Sequence, residues 1–136
     1  EGRPMAEKFK LSIIAPDSSF YEGEAEFLEF TSTEGQMGVY AQHIPLTTIL
    51  EPCVMTIHND GEKKKAAIIG GFIEILKEKV TVLAEDAQWP EDIDLDRAKA
   101  SYERAKERLA AKQEGINLKR AEASLKRAVA RIETIE

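Results

Sequence analysis

The sequence lacks any long apolar run, and it has no visible leader. None of its 136 residues belongs to a stretch of the roughly 18 apolar residues that a membrane-spanning helix needs. No charged-then-apolar signal is present near its start. We therefore expect a cytosolic chain with no direct insertion into a bilayer. The letters "EGRP" before Met5 resemble a cloning remnant, so residues 1–8 are interpreted as a tag remnant and an N-terminal tail.

The residues that most often carry chemistry are also scarce. The single cysteine, Cys53, lies in an apolar strand-like run, which predicts a buried free thiol and gives no support for a disulfide. The two histidines, His43 and His58, lie far apart and lack the spacing of metal ligands. Gly70-Gly71 is not followed by Gly-Lys-Ser/Thr, so it predicts a bulge or a tight strand bend instead of a phosphate loop. We expect a non-catalytic protein without a catalytic cofactor or a metal.

Charge is distributed unevenly along the chain. The net charge is -6. Residues 1–91 carry 8 basic and 16 acidic side chains, whereas residues 92–136 carry 11 basic and 9 acidic ones. The net charges of the two parts are therefore -8 and +2. This asymmetry predicts two parts with different partners. The basic part is nearly balanced, so we expect no nucleic-acid partner.

Residues 9–87 have the short alternating runs of a β protein. Asn59-Asp60-Gly61 between two such runs is a strong signal for a tight hairpin turn. The many short strands favour an antiparallel sandwich or a flattened barrel. Six strands are predicted from β-branched and aromatic content, with the sequences FKLSII, EAEFLEFT, VMTIHN, KKAAII, GFIEIL and KVTVLA.

Residues 88–91 are predicted to be a linker. Pro90 disfavours helix at the residue before it and marks the boundary. From residue 92 to residue 136 the apolar period becomes helical. Asp92 or Asp94 is the expected N-cap of the first helix, because an acidic side chain is favourable at a helix N-terminus.

The helical part predicts two antiparallel helices joined by the turn "QEGIN". Gly115 is the expected C-cap of the first helix and Asn117 the expected N-cap of the second. Alanine is frequent in the seam, so the two helices bury little area against each other. We expect that this hairpin leans on another surface and can leave it. The predicted seam residues are Leu95, Ala98, Tyr102, Ala105 and Leu109, then Leu118, Ala121, Leu125, Ala128, Ile132 and Ile135.

Each helix also carries three arginines on one side, next to the apolar seam. At 100° per residue the three lie within about 40° of one another. Two interpretations are open. In the first, the arginines pair within their own helix with Glu103, Glu107 or nearby acids; in the second, the two stripes share one groove and hold a polyphosphate. The stripes consist of Arg97, Arg104 and Arg108, and of Arg120, Arg127 and Arg131.

Two segments of the sandwich part resemble a known family. "EGQMGVYAQHIPLTTILEPCVMTI" (34–57) and "IIGGFIEILKEKVTVLAEDA" (68–87) are similar to the ε subunit of bacterial rotary ATP synthases. Ala41-Gln42 stands where that family usually has proline, and Cys53 where it usually has glycine. The resemblance implies a β-sandwich of about ten strands at 9–87, followed by a C-terminal antiparallel two-helix hairpin at 92–136.

The resemblance also implies partners and a role. It places the chain in the central stalk, bound to the γ subunit and the c-ring, as a peripheral protein on the cytoplasmic face of the bacterial membrane. The subunit would couple proton-driven rotation to ATP synthesis. Its hairpin, once released, would contact the catalytic β subunits and inhibit ATP hydrolysis.

A short motif at the start of the hairpin implies a regulatory ligand. Ile93-Asp94-Leu95-Asp96-Arg97-Ala98 matches the "I/L-D-x-x-R-A" motif through which some members of the family bind ATP. Gln88 replaces a glutamate that is frequent in that site, which weakens its assignment. Arg108 and Arg120 have no role that the family implies. The residues expected around adenine are Ile93, Asp94 and Ala98, and those expected at the phosphates are Arg97, Arg104, Arg127 and Arg131.

Two other functions remain open from the sequence. The chain could be a free-standing β-sandwich adaptor with a helical tail and no rotary partner, which co-purification with γ would exclude. A small hydrolase would have to turn over nucleotide by itself. Trp89 is the only tryptophan and is adjacent in sequence to the proposed site, so its fluorescence is a natural reporter of binding.

Overall fold

The structure is a computed structural model that describes residues 7–111 and 117–136. It confirms the predicted fold class, a ten-stranded β sandwich followed by a two-helix hairpin. The predicted turn with Gly115 and the "EGRP" letters lie outside the described residues. The strands are β1 Phe9–Ala15, β2 Ser18–Ala25, β3 Phe27–Ser32, β4 Gly35–Tyr40, β5 Leu46–Leu50, β6 Cys53–Asn59, β7 Glu62–Ile68, β8 Gly71–Ile75, β9 Lys79–Ala84 and β10 Ala87–Gln88. A 3₁₀ helix, Pro90–Asp92, leads to α1 Leu95–Ala111 and α2 Leu118–Ile135.

The strands form one continuous sheet that folds over its own core. Its order is β10-β7-β6-β3-β5-β8-β9-β1-β2, with β4 added on β3. β1 and β9 pair in parallel, which differs from the antiparallel arrangement predicted for the whole sandwich. Parallel pairing needs a long crossover connection, and the seven strands between β1 and β9 provide one. Such a pair leaves no local turn signal in the sequence.

The predicted strand at 24–31 is two strands in the structure. Ala25, the last residue of β2, is buried, but the buried residues of β3 are Leu28, Phe30 and Ser32. The inward face therefore moves from odd to even positions at Glu26. The backbone N–H of Glu26 donates to the carbonyl of His58 at 2.8 Å as the chain changes partner strands.

Two predicted backbone features are confirmed. Asp60 and Gly61 have φ values of 53° and 78° and form a two-residue hairpin turn between β6 and β7, as the Asp-Gly signal predicts. Gly70 and Gly71 make a tight bend before β8, with φ values of 76° and 107°. A Cβ atom on Gly71 would overlap the carbonyl oxygen of Leu83, so only glycine fits this position.

The core lies between the two layers of the folded sheet and consists of alternate strand residues. Cys53 is part of it, as predicted, with its free thiol 6% exposed. Burial raises the pKa of the Cys53 thiol to about 11. The largest fully buried apolar side chains are Leu11, Ile13, Leu28, Val39, Met55, Ile57, Ile68, Ile73, Ile75, Val80 and Val82.

Each helix begins at a capping side chain. Asp94 caps α1, because its Oδ1 accepts the backbone N–H of Arg97 at 3.1 Å. Asp92, the other predicted cap, lies in the 3₁₀ helix instead. Asn117 caps α2 as predicted, with its Oδ1 accepting the backbone N–H of Arg120 at 3.1 Å. Both helices therefore start where short polar side chains satisfy free N–H groups.

The helix seam is built from small residues, and α2 has a second buried face. Ala98 and Ala105 of α1 are buried, as are Ala121 and Ala128 of α2. The opposite side of α2 packs on β6 and β7, where Ala130 is buried. This second face was not predicted, because the clearest apolar repeat along α2 belongs to the residues of the seam with α1.

The hairpin contacts the sandwich through α2. Ala130 forms an apolar cluster with Ala67, Ile69 and Ile93. Lys126 Nζ forms an ion pair with Glu51 Oε1 at 3.2 Å. A partly exposed ion pair of this kind contributes about 0–1 kcal/mol. Docking of the hairpin therefore combines an apolar cluster with polar contacts, whereas the sandwich has its own core. Among the described residues, neither helix has the length and apolar content to cross a bilayer.

Candidate functional site

A cleft of about 470 Å³ lies where the start of α1, the second half of α2 and the end of the sandwich meet. This volume lies within the range of roughly 300–1,000 Å³ that is usual for ligand sites. Its walls are polar and come from both helices and from the linker region. The lining residues are Asp86, Gln88, Asp92, Asp94, Arg97, Ala98, Ser101, Ser124, Arg127, Ala128 and Arg131.

The antiparallel hairpin decides which arginines line the cleft. Arg97 lies in the first turn of α1, and the second half of α2 lies opposite, so Arg127 and Arg131 line the same space. Arg108 lies in the last turn of α1 and Arg120 in the first turn of α2. These two are at the other end of the hairpin and do not line the cleft. Each stripe predicted from the sequence is thus divided between two locations.

Arg97 and Arg127 form no ion pair with any residue that the structure describes. Over residues 7–111 and 117–136, no carboxylate lies within ion-pair distance of either guanidinium. Arg127 Nη2 instead donates to Ser124 Oγ at 3.1 Å. The alternative interpretation, intrahelical pairing with Glu103 or Glu107, is not seen in this part of the chain. Two guanidinium groups are therefore available to an anion.

Arg131 is held differently. Its Nε donates to Gln88 Oε1 at 2.7 Å, and its Nη2 donates to Asp86 Oδ2 at 3.0 Å. Both acceptors belong to the last part of the sandwich, so this guanidinium ties α2 to β10 and the residue before it. The Arg131 side chain is only 26% exposed, which favours a fixed geometry. Two of its N–H groups are used, and three others remain for a ligand.

Three carboxylates line the cleft together with the arginines: Asp86, Asp92 and Asp94. Asp86 is ion-paired with Arg131, so acidic and basic groups are mixed along the walls. A carboxylate accepts hydrogen bonds but repels phosphate, whereas a guanidinium donates hydrogen bonds and attracts phosphate. The cleft therefore offers both acceptors for N–H groups and cationic donors for an anion.

Six of the eight predicted site residues line the cleft, and two do not. Ile93 is buried between α2 and the sandwich, against Ala67, Ile69 and Ala130, and so holds the linker in place. Arg104 is exposed and lies about 10 Å further along α1 than Arg97, since seven helical residues separate them. Its Nη2 donates to Ser101 Oγ at 3.1 Å. The six that line the cleft are Gln88, Asp94, Arg97, Ala98, Arg127 and Arg131.

Five lining residues were not predicted for the site, and one of them, Ala128, was predicted only for the helix seam. Ser101 and Ser124 each precede an arginine by three residues, and both bind that arginine. This repeated Ser-x-x-Arg spacing was a readable signal. Asp86 and Asp92 gave none, because acids are common in turns and in first helical turns. Their positions depend on where β10 and the 3₁₀ helix lie.

Trp89 does not line the cleft, although it is adjacent to Gln88 in sequence. Its ring stacks on Phe20 with centroids 4.4 Å apart and meets Tyr21 edge-on at 6.3 Å. The side chain therefore fixes the linker to β2. Its fluorescence would report on the linker more directly than on a ligand.

A second surface feature lies on the outer face of the sandwich. Four exposed apolar side chains are aligned across β5, β8, β9 and β1, since Ile49 pairs with Phe72, Phe72 with Leu83, and Leu83 with Ile14. They are between 38% and 61% exposed. We call these four residues the apolar row. A contiguous exposed apolar surface of this kind is typical of an interface.

Comparison with solved structures supports the architecture. A chain of the Euglena gracilis mitochondrial ATP synthase superposes with a TM-score of 0.80 at 22% identity, over 96% of this chain and 82% of that one. A chain of the Tetrahymena thermophila mitochondrial ATP synthase central stalk and c-ring gives a TM-score of 0.53 at 10% identity, over 65% and 72% of the two chains. At these identities the likeness establishes the fold.

Sequence relatives are closer. The ATP synthase epsilon chain of Desulforudis audaxviator is 48% identical over 91% of this chain and 90% of its own length. That of Caldanaerobacter subterraneus subsp. tengcongensis is 44% identical over 80% of both chains. The family description "ATP synthase, Delta/Epsilon chain, beta-sandwich domain" matches residues 8–90, and "ATP synthase, Delta/Epsilon chain, long alpha-helix domain" matches residues 91–136. The chain therefore belongs to the ATP synthase delta/epsilon chain family.

Proposed function

We propose that this chain is a non-catalytic ε subunit of the ATP synthase central stalk, and that its hairpin senses ATP. The sandwich would bind the γ subunit and the c-ring, at the membrane but not in it. The hairpin would bind ATP while docked and would inhibit ATP hydrolysis once released. One observation carries the ATP part: arginines from both helices line a cleft that exists only while the helices pack together on the sandwich.

The cleft links ligand binding to hairpin position. Arg97 comes from α1, Arg127 from α2 and Gln88 from the sandwich. A ligand that contacts all three elements binds the docked state and not the released one. Ligand at about ten times its Kd stabilises the state that it binds by about 1.4 kcal/mol. A free energy of this size changes the ratio of docked to released hairpin about tenfold.

The arrangement assigns parts of the nucleotide to parts of the cleft. Arg97, Arg127 and the remaining donors of Arg131 would hold the phosphates through charge-assisted hydrogen bonds. Asp94 would accept a hydrogen bond from the adenine amino group, with Ala98 beside the ring. Arg104 would join the phosphate contacts only by moving off Ser101, to which it now donates.

ATP binding is tested by calorimetric titration of the whole chain with ATP, and with ADP as a comparison. We expect saturable binding that prefers ATP and is lost in Arg97→Gln/Arg127→Gln. The matched control is Arg108→Gln/Arg120→Gln, which removes the same charge from the same helices away from the cleft. The proposal fails if neither nucleotide binds at millimolar concentration, or if the control pair loses as much affinity as the cleft pair.

The stalk role is tested by co-purification with γ. The apolar row is the surface that we assign to this contact, so Phe72→Asp should reduce recovery of γ strongly. Leu118→Asp is the control, because Phe72 and Leu118 are similarly exposed, at 44% and 43%, and Leu118 lies on α2 instead of the sandwich. Failure of the unaltered chain to recover γ would favour the free-standing adaptor.

Inhibition is tested by truncation after Trp89, which keeps the Trp89–Phe20 stack and β10 intact. The truncated chain should still assemble with γ, and ATP hydrolysis by the assembled enzyme should increase. Basic residues of the released hairpin would pair with acidic groups of the catalytic β subunits, and this contact would be lost. Unchanged hydrolysis would refute the inhibitory role and leave the stalk role intact.

A further inference from the structure

Asp86 binds Arg131, which the proposed function also assigns to phosphate binding. Its Oδ2 lies 3.0 Å from Arg131 Nη2. The other oxygen, Oδ1, accepts the backbone N–H of Ala87 at 2.9 Å, which orients the carboxylate toward α2. Gln88 Oε1 takes the Nε donor of the same guanidinium at 2.7 Å. The end of the sandwich thus presents two hydrogen-bond acceptors to the guanidinium group of Arg131.

We propose that Asp86 is an internal competitor for the anion site. In the empty cleft its carboxylate stands where a phosphate would otherwise neutralise Arg131, and it holds α2 against the sandwich without any ligand. When a polyphosphate binds, the same carboxylate repels it and competes for the guanidinium. The affinity part of this inference depends on the proposed ATP site, whereas the docking part does not.

Loss of the Asp86 charge is expected to change docking and ATP binding in opposite directions, which a purely structural role would not do. A merely structural residue would weaken both docking and ligand binding when it is changed. Loss of the Asp86 charge should instead weaken docking in nucleotide-free protein and strengthen binding of ATP. The consequence for regulation is that Asp86 makes the docked state less dependent on ATP. Without the Asp86 charge, docking of the hairpin would depend more strongly on ATP.

The variant that tests this is Asp86→Asn, because an amide oxygen can still accept the Ala87 N–H while the charge is lost. Glu85→Gln is the matched control: it removes one carboxylate charge at the adjacent position, which does not line the cleft. Two readouts are measured at low ionic strength, where surface electrostatics is least screened. They are hydrogen exchange of α2 peptides without nucleotide, and calorimetric titration with ATP.

For Asp86→Asn we expect exchange of α2 to become roughly two- to fivefold faster without nucleotide, the range for one partly exposed ion pair. We expect ATP to bind the docked hairpin roughly two- to fivefold more tightly, by the same electrostatic reasoning, once the measured affinity is corrected for the docked fraction. Both effects should shrink in an Arg131→Gln background, since the carboxylate then has no guanidinium to hold. Glu85→Gln should change neither readout beyond about 1.5-fold.

Each outcome decides the proposal. Unchanged α2 exchange in Asp86→Asn overturns it, whatever ATP does. Weaker or equal ATP binding by Asp86→Asn after correction for the docked fraction, in a chain whose unaltered form binds ATP, also overturns it. If the unaltered chain binds no ATP, the proposed ATP site fails by itself. Asp86 then remains the ligand-independent tie between α2 and the sandwich if the exchange result holds, and its role as a competitor is refuted.

Discussion

Asp94 has two roles in this structure, and one pair of substitutions separates them. Its Oδ1 caps α1 through the backbone N–H of Arg97 at 3.1 Å, and its side chain also lines the cleft. Asp94→Ala removes both the cap and the carboxylate. Asp94→Ser keeps a capping oxygen and removes only the charge.

The cap alone sets an upper limit on the indirect effect. Loss of an N-cap costs about 1 kcal/mol, and this is worth about fivefold in an equilibrium constant. If destabilised α1 were the only consequence, ATP affinity would fall at most about fivefold, and less where the hairpin is already mostly docked. A larger loss belongs to a direct contact between Asp94 and the ligand.

The assay combines hydrogen exchange at the start of α1 with ATP titration. We expect faster exchange in Asp94→Ala, nearly unchanged exchange in Asp94→Ser, and more than fivefold weaker ATP binding in both. If Asp94→Ser binds ATP as tightly as the unaltered chain, the carboxylate makes no useful contact with the nucleotide. If both variants exchange equally fast, the capping argument is wrong.

Three further predictions concern the sandwich and the docked hairpin. Gly71→Ala should lower the free energy of unfolding by more than about 2 kcal/mol, because the new Cβ overlaps the carbonyl of Leu83; Gly35→Ala, at a similar φ of 117° in open space, should cost only about 1 kcal/mol in urea denaturation. Since burial raises the pKa of Cys53 to about 11, the folded state holds its proton longer than the unfolded one; stability should therefore fall as pH rises above about 9, and a Cys53→Ala chain should lose less over the same range. Ala130→Glu should abolish docking of α2 and ATP binding, because it buries an unpaired charge, while the sandwich keeps its thermal transition. The matched control Ala110→Glu, at an exposed position, should leave docking and ATP binding unchanged.

The sequence was sufficient for features that depend on local chemistry. The Asp60-Gly61 turn, the Asn117 cap and the bend at Gly70-Gly71 each need a particular residue type at a particular place. The change of apolar period at the linker likewise separated strands from helices. These features could be predicted because neighbours along the chain determine them.

The parts that could not be predicted depend on contacts between distant residues. The contact of Ile93 with adenine stays a prediction; the structure buries this residue under α2 and outside the lining of the cleft, because the second face of that helix packs on it. Arg104 shares a stripe with Arg97, yet the antiparallel partner places the cleft at one end of that stripe. Asp86 is an ordinary turn residue until β10 brings it to Arg131. The ATP assignment itself stays a prediction until the titration is done.

The Trp89–Phe20 stack sets the pivot for any large motion of the hairpin. Everything up to Trp89 is fixed to the sandwich by β10 and by this aromatic contact, so a released hairpin swings from the 3₁₀ helix that follows. A fully helical segment over 93–136 would be about 65 Å long, at 1.5 Å per residue. In the proposed role, the released segment would therefore reach a site several nanometres away while the sandwich stays in place. The partly buried Trp89 thereby determines where the movable segment begins.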